Sequence, residues 1–193
     1  MRKFLLILIA IVVIAVGIYL STQDQKAKNQ TQNPTTTNDL SHVPKENELV
    51  ANLRTAGLEQ LAEEGTILHI HEHLDITING KAVAVPAEIG IGTTFISPIH
   101  THDSSGILHV ESPVKKDFTL GQFFTEWGVK LDTNCIATNC VDQTHKLIVA
   151  VNGNPITDPQ NHVLSAHEEI EVWYGNTTEN PTFKKEYTFP QGL

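Results

Sequence analysis

From Ile67 to Ile78 the chain alternates: Ile70, Leu74, Ile76 and Ile78 fall on one side, and His69, His71, His73, Asp75 and Thr77 on the other. A period of two belongs to a β-strand, so this stretch predicts a strand with an apolar face and a histidine face. Asn79-Gly80 follows at once, with Lys81 to Pro86 behind it, the strongest short-range signal for a tight antiparallel hairpin. A second hairpin is expected in SPIHTHDSSGILHVESP, where Asp103-Ser104-Ser105-Gly106 supplies turn residues. That register pairs His102 with Ile107 and His100 with His109, and it places His100, His102 and His109 on one face.

Helical periodicity appears twice. Leu49, Val50, Leu53, Leu58 and Leu61 keep helical spacing between Glu46 and Glu64 with an interruption at Gly57, which predicts two short helices or one broken helix. Thr119 is the expected N-cap of LGQFFTEW, whose Leu120, Phe123, Phe124 and Trp127 form a buried side, with Gly128 ending the turn. A strand is expected over Lys146–Val151 with a turn at Asn152-Gly153, and another over Glu169–Tyr174 closing at Gly175. The polar tail from Asn176 is read as adding an edge strand through Tyr187 and Phe189. The order of elements defines an α+β domain, a mixed sheet with one packed helix and a histidine-bearing hairpin insertion.

The amino-terminal region follows a different pattern. After Met1-Arg2-Lys3, the run Phe4 to Leu20 carries no charge and would make about 25 Å of helix, at the short end of what spans a bilayer. A cleaved signal peptide usually has a shorter apolar core and a small-x-small site, and LSTQDQ offers neither Ala-x-Ala nor a cysteine for lipid attachment. Residues 1–20 are therefore expected to be an uncleaved signal anchor and transmembrane helix. Arg2 and Lys3 would stay in the cytoplasm and the rest of the chain outside the cell membrane, crossed once. Residues 21–45 have almost nothing apolar to bury and read as a disordered tether, leaving 46–193 as one extracytoplasmic domain.

The formal net charge of −9 and the lack of any basic cluster beyond Lys115-Lys116 and Lys184-Lys185 exclude nucleic acid as an expected partner. The expected partners are the membrane itself and a membrane protein within reach of the tether. Cys135 and Cys140 close the short loop CIATNC, which outside the membrane favours a disulfide contributing about 2 kcal/mol over a soft metal pair.

His69, His71, His73, His100, His102 and His109 point to a metal, because imidazole is the commonest protein ligand for transition metals. Alternate strand residues have Cα atoms about 6.7 Å apart, so two neighbours can reach one ion; His69 and His73, about 13 Å apart, cannot unless the strand bends or bulges. His100, His102 and His109 form the H-x-H plus H set of a three-histidine site with an open position, which would bring a bound water to a pKa of about 7. His71 and His73 would complete the coordination sphere, serve a second ion, or act beside it as acid and base. Asp103, Glu111 and Asp75 are candidates for orienting a ligating imidazole, against ordinary readings as turn or solvated strand residues. Against the metal stands a face of neutral histidines, or a pH-sensing patch charging near pH 6.5. His42, His145, His162 and His167 lack the pattern and read as loop or surface residues. Nitrogen ligands suit a divalent transition metal such as zinc or copper, and with Met1 as the single methionine a copper(I) carrier is disfavoured.

Two resemblances sharpen this. LDITINGKAVAVPA, FTLGQFFTEWGV, HKLIVAVNGNPI and HEEIEVWYG together resemble the β-grasp pattern of the small sulfur-carrier proteins over about residues 74–175. Those carriers end in Gly-Gly, whereas this sequence ends Pro190-Gln-Gly-Leu193, so the likeness implies their fold and not their chemistry. HIHEHLD, ISPIHTHD and TLGQFFTEWG resemble the phrases of a group of anchored or secreted prokaryotic proteins, which makes the histidine block a feature of that group. The expected function is a tethered extracytoplasmic metal-binding domain for metal sensing, storage or delivery. The alternatives are a small metal-dependent hydrolase or redox enzyme, and a metal-free interaction module that responds to pH.

Overall fold

The computed structural model describes residues 39–193. The predicted anchor and most of the predicted tether lie outside the described residues, among which no helix is long and apolar enough to cross a membrane. In chain order the elements are α1 (Glu46–Ala56), β1 (Leu68–Ile78), β2 (Lys81–Val83), β3 (Ile99–His100), β4 (Ile107–Ser112), α2 (Leu120–Trp127), β5 (Cys135–Ile136), β6 (Asn139–Cys140), β7 (His145–Val151), β8 (Asn154–Ile156), a 3-10 turn at Pro159–Asn161, and β9 (Glu169–Asn176).

The fold is α+β, built on one mixed sheet of seven strands in the order β3-β4-β1-β9-β7-β8, with β2 beside the end of β1. β1 runs parallel to β9, and every other pair in the sheet is antiparallel. Both hairpins with Asn-Gly turns form as their sequences predict. Asn79 and Gly80 take φ of 51° and 75°, and Asn152 and Gly153 take 50° and 80°, the left-handed pair that a two-residue turn between twisted strands requires. The edge strands are short: β3 has two residues and follows Pro98, and β8 has three with Pro155 at its centre.

One face of the sheet carries Leu74, Ile76, Leu108, Val110, Val149, Val151, Ile170 and Val172, which pack with the helices into a single core. α2 starts where Thr119 accepts the Gln122 amide and buries Leu120, Phe123, Phe124 and Trp127. The helical layer holds two helices rather than the one expected, because Leu49 and Leu53 of α1 join the same core and Asn52 donates to the Glu126 carbonyl at 3.1 Å. The second helical piece expected before Glu64 does not form. Leu61 instead exchanges two 2.9 Å backbone hydrogen bonds with Ile96, which fixes an extended bridge.

The edge strand expected through Tyr187 and Phe189 is also absent. These residues lie on the sheet's polar face: Tyr187 stacks on His73 with ring centroids 3.6 Å apart, and Phe189 packs against His167. Cys135 and Cys140 form a disulfide that closes the small β5–β6 ribbon.

Candidate metal centre

Strand register assembles the histidines. β1 and β4 place His71 opposite His109 and His69 opposite Glu111, while β3 and β4 place His100 opposite His109. Residues directly opposite one another share a face, so His71, His109 and His100 form a row across three strands, on the side away from the core. His102, just past β3, brings its ring against His109 with centroids 4.5 Å apart. The row itself is buried, whereas His69 and His102 are exposed at its rim.

The nitrogens lie at ligand spacing. His100 Nε2 and His102 Nε2 are 3.2 Å apart, and so are His69 Nε2 and His71 Nε2. Two ligands on one tetrahedral ion with bonds of 2.0 to 2.1 Å are separated by about 3.3 Å. His100 Nδ1 lies 3.0 Å from the Ser97 carbonyl, which can only accept a proton, so this nitrogen carries the hydrogen and Nε2 turns its lone pair toward the cluster.

Burial holds His100 down to about pKa 4, helped by the neighbouring His102 and His71 imidazoles and opposed by the Ser97 hydrogen bond. Burial and the surrounding imidazoles hold His109 down to about 3, and His71 is lowered for the same reasons. Near neutral pH these three are uncharged bases with lone pairs to offer, the form that binds a metal.

Glu111 lies among them. Its Oε1 is 3.3 Å from both His69 Nε2 and His109 Nδ1, and its Oε2 is buried without a hydrogen-bond partner among the described residues. Burial, with the Glu64 carboxylate nearby, raises its pKa. Two groups of side chains here have the geometry to hold a metal ion: His100, His102, His109 and Glu111, and His69, His71 and Glu111.

His73 does not join them. β9 sets Glu169 opposite it, and His73 Nδ1 makes a 2.6 Å contact with Glu169 Oε2 while Nε2 lies 3.0 Å from the Ser105 carbonyl. His73, Asp75 and Glu169 form a third group of metal-ligand type, and there Lys184 already pairs with Asp75. Asp75 is thus an ion-pair partner of Lys184 rather than a neighbour of the main cluster. Asp103 caps its own turn, accepting the Ser105 amide at 2.8 Å.

Of the histidines without the pattern, His42, His145 and His162 each meet a local carboxylate, from Glu48, Asp142 and Glu168. Sequence reasoning missed Glu64, 3.4 Å from His102 Nε2, and Ser97, which orients His100. Ser97, three residues before His100, was within reach of a local reading. Glu64 was not, because the loop that carries it is placed by the Leu61–Ile96 bridge.

No protein-family model matches this chain, and neither a curated protein nor a solved structure is significantly similar to it.

Proposed function

We propose that this protein is an extracytoplasmic metal-binding domain, tethered to the cell membrane by its amino-terminal segment, that takes zinc or copper(II) for sensing, storage or delivery. The primary site is His100, His102 and His109, with Glu111 as the carboxylate donor. One observation carries the reading: a buried row of neutral imidazoles on adjacent strands, with the His100 lone pair aimed at His102 Nε2 3.2 Å away.

A sheet face built only for solubility would expose such rings, and one built for packing would use apolar ones. The donor set is nitrogen with carboxylate oxygen, the cysteines are tied in a disulfide, and there is no methionine among the described residues, which favours zinc or copper(II) over copper(I). We read the supporting frame as β-grasp-like, from the β1–β2 hairpin, the α2 helix and the central parallel β1–β9 pair. The rim histidines His69 and His102 are exposed, which suits a partner that exchanges the ion by ligand substitution at the surface.

The test is elemental analysis and zinc or cupric titration of the full chain in detergent, purified without a polyhistidine tag. At least one tightly held equivalent is expected, and replacing His100 and His102 with alanine should remove the tightest site. Absence of uptake by the wild type, or full stoichiometry in the double variant, overturns the assignment.

A further inference from the structure

The histidine face holds more donors than one ion uses. Five imidazoles, those of His69, His71, His100, His102 and His109, gather with the carboxylates of Glu111 and Glu64, whereas a tetrahedral ion takes four ligands. The donors also divide. His100 and His102 approach each other through Nε2 atoms 3.2 Å apart on the β3 side, and His69 and His71 do the same on β1. His109 stands between the pairs, its ring centroid 4.5 Å from that of His102 and 4.6 Å from that of His71. Glu111 belongs to both ligand groups, with one oxygen 3.3 Å from a member of each.

We propose that the protein holds two ions on this face, the second bound by His69 and His71, with the Glu111 carboxylate bridging the pair; this rests on the assignment of the first ion to His100, His102 and His109. The orphaned oxygen of Glu111 supports the bridge. Its Oε2 is buried without a hydrogen-bond partner among the described residues, while its Oε1 faces a histidine of each group at 3.3 Å, so the carboxylate stands between the two sets of imidazoles with both oxygens available. A bridging carboxylate uses both oxygens, and it neutralises part of the repulsion between two cations held about 3.5 to 4 Å apart. Glu64 at the rim, beside His102 and close to Glu111, adds a second negative charge where two divalent ions would meet. The His73 group takes no part, since Lys184 already supplies its positive charge.

The experiment is titration of the full chain in detergent with Zn(II) and separately with Cu(II), followed by electron paramagnetic resonance of the cupric form. The wild type should take two equivalents and show the dipolar or exchange coupling of two neighbouring Cu(II) ions, with a half-field signal. His69→Ala, at an exposed position, should drop the stoichiometry from two to one and leave an isolated cupric spectrum. Glu111→Gln should lose the coupling.

A wild type that takes one equivalent, with His69→Ala unchanged, overturns the second ion and leaves the first site standing. Two equivalents with uncoupled spectra overturn the bridge. No uptake of either metal overturns the primary assignment itself. Unchanged near-ultraviolet circular dichroism of both variants shows that they fold, so that a lost signal reports on the ligands.

Discussion

Ser97 serves two masters through different atoms. Its carbonyl takes the Nδ1 proton of His100, and its hydroxyl donates to the fully buried Glu126 at 2.5 Å. Burial pushes the Glu126 carboxyl well above its ordinary range, against the lowering effect of Ser97, so the folded protein keeps it protonated. In the unfolded chain it ionises near 4.5. The stabilising contribution is complete below that pH and is lost as pH rises toward the folded value. Glu126→Gln keeps the shape and the Ser97 contact but cannot ionise. It should gain on the wild type by up to about 1.4 kcal/mol per pH unit above 4.5, read from urea unfolding at pH 4.5 and 7.5. A difference that does not change with pH would sink this account. His100 has the opposite sign. Its folded pKa of about 4 lies below the unfolded 6.5, so without metal the native state loses about 2 kcal/mol from this group between pH 7 and pH 5. Chemical unfolding of chelator-treated protein at those two pH values checks it, with His100→Ala expected to flatten the slope.

At the scale of elements, the β3–β4 turn depends on Gly106. Its φ is +89°, and a Cβ there would lie 2.6 Å from the Leu74 carbonyl oxygen and 3.1 Å from His73 Nε2. Gly106→Ala should cost about 1 to 3 kcal/mol and weaken metal binding as well, because the same hairpin carries His100 and His109; urea midpoints and zinc titration together report both. Thr119→Ala, at the N-cap of α2, should cost about 1 kcal/mol and leave metal stoichiometry unchanged, which separates stability from site geometry. These elements were legible because their signals are local: an Asn-Gly pair sets a turn, and a threonine ahead of a helical apolar face sets a cap. What escaped was decided by distant partners. Leu61 gives up a helix for a bridge with Ile96, and Tyr187 leaves the strand predicted for it to stack on His73. The same division holds within the site. The pairing of His100 with His109 follows from a four-residue turn, whereas the separation of His73 depends on Glu169, which the parallel β1–β9 register brings from 96 residues away.

For the whole molecule, the proposed ions would add cross-links between β1, the β3 edge, β4 and the loop bearing Glu64 on the face opposite the core, where the strands otherwise meet through backbone hydrogen bonds and polar side chains. An ion that binds the native state and not the unfolded chain stabilises it by about 2.7 kcal/mol at a free concentration 100 times its dissociation constant. Thermal unfolding with zinc and with excess chelator should therefore differ by several degrees. The difference should shrink in His100→Ala. Equal transitions in both conditions would mean that nothing is bound at a site that matters to the fold.

Pro98 and Pro155 bear on how the molecules behave together. A sheet edge with free amides and carbonyls invites another chain to add to it, and long flat edges aggregate. Here β3 offers two residues behind Pro98, and β8 offers three with Pro155, which has no amide hydrogen to give. Copies crowded side by side, as on a shared surface, would find at these two terminal strands too short an edge to zip into a ribbon, so neither strand invites aggregation at high local density.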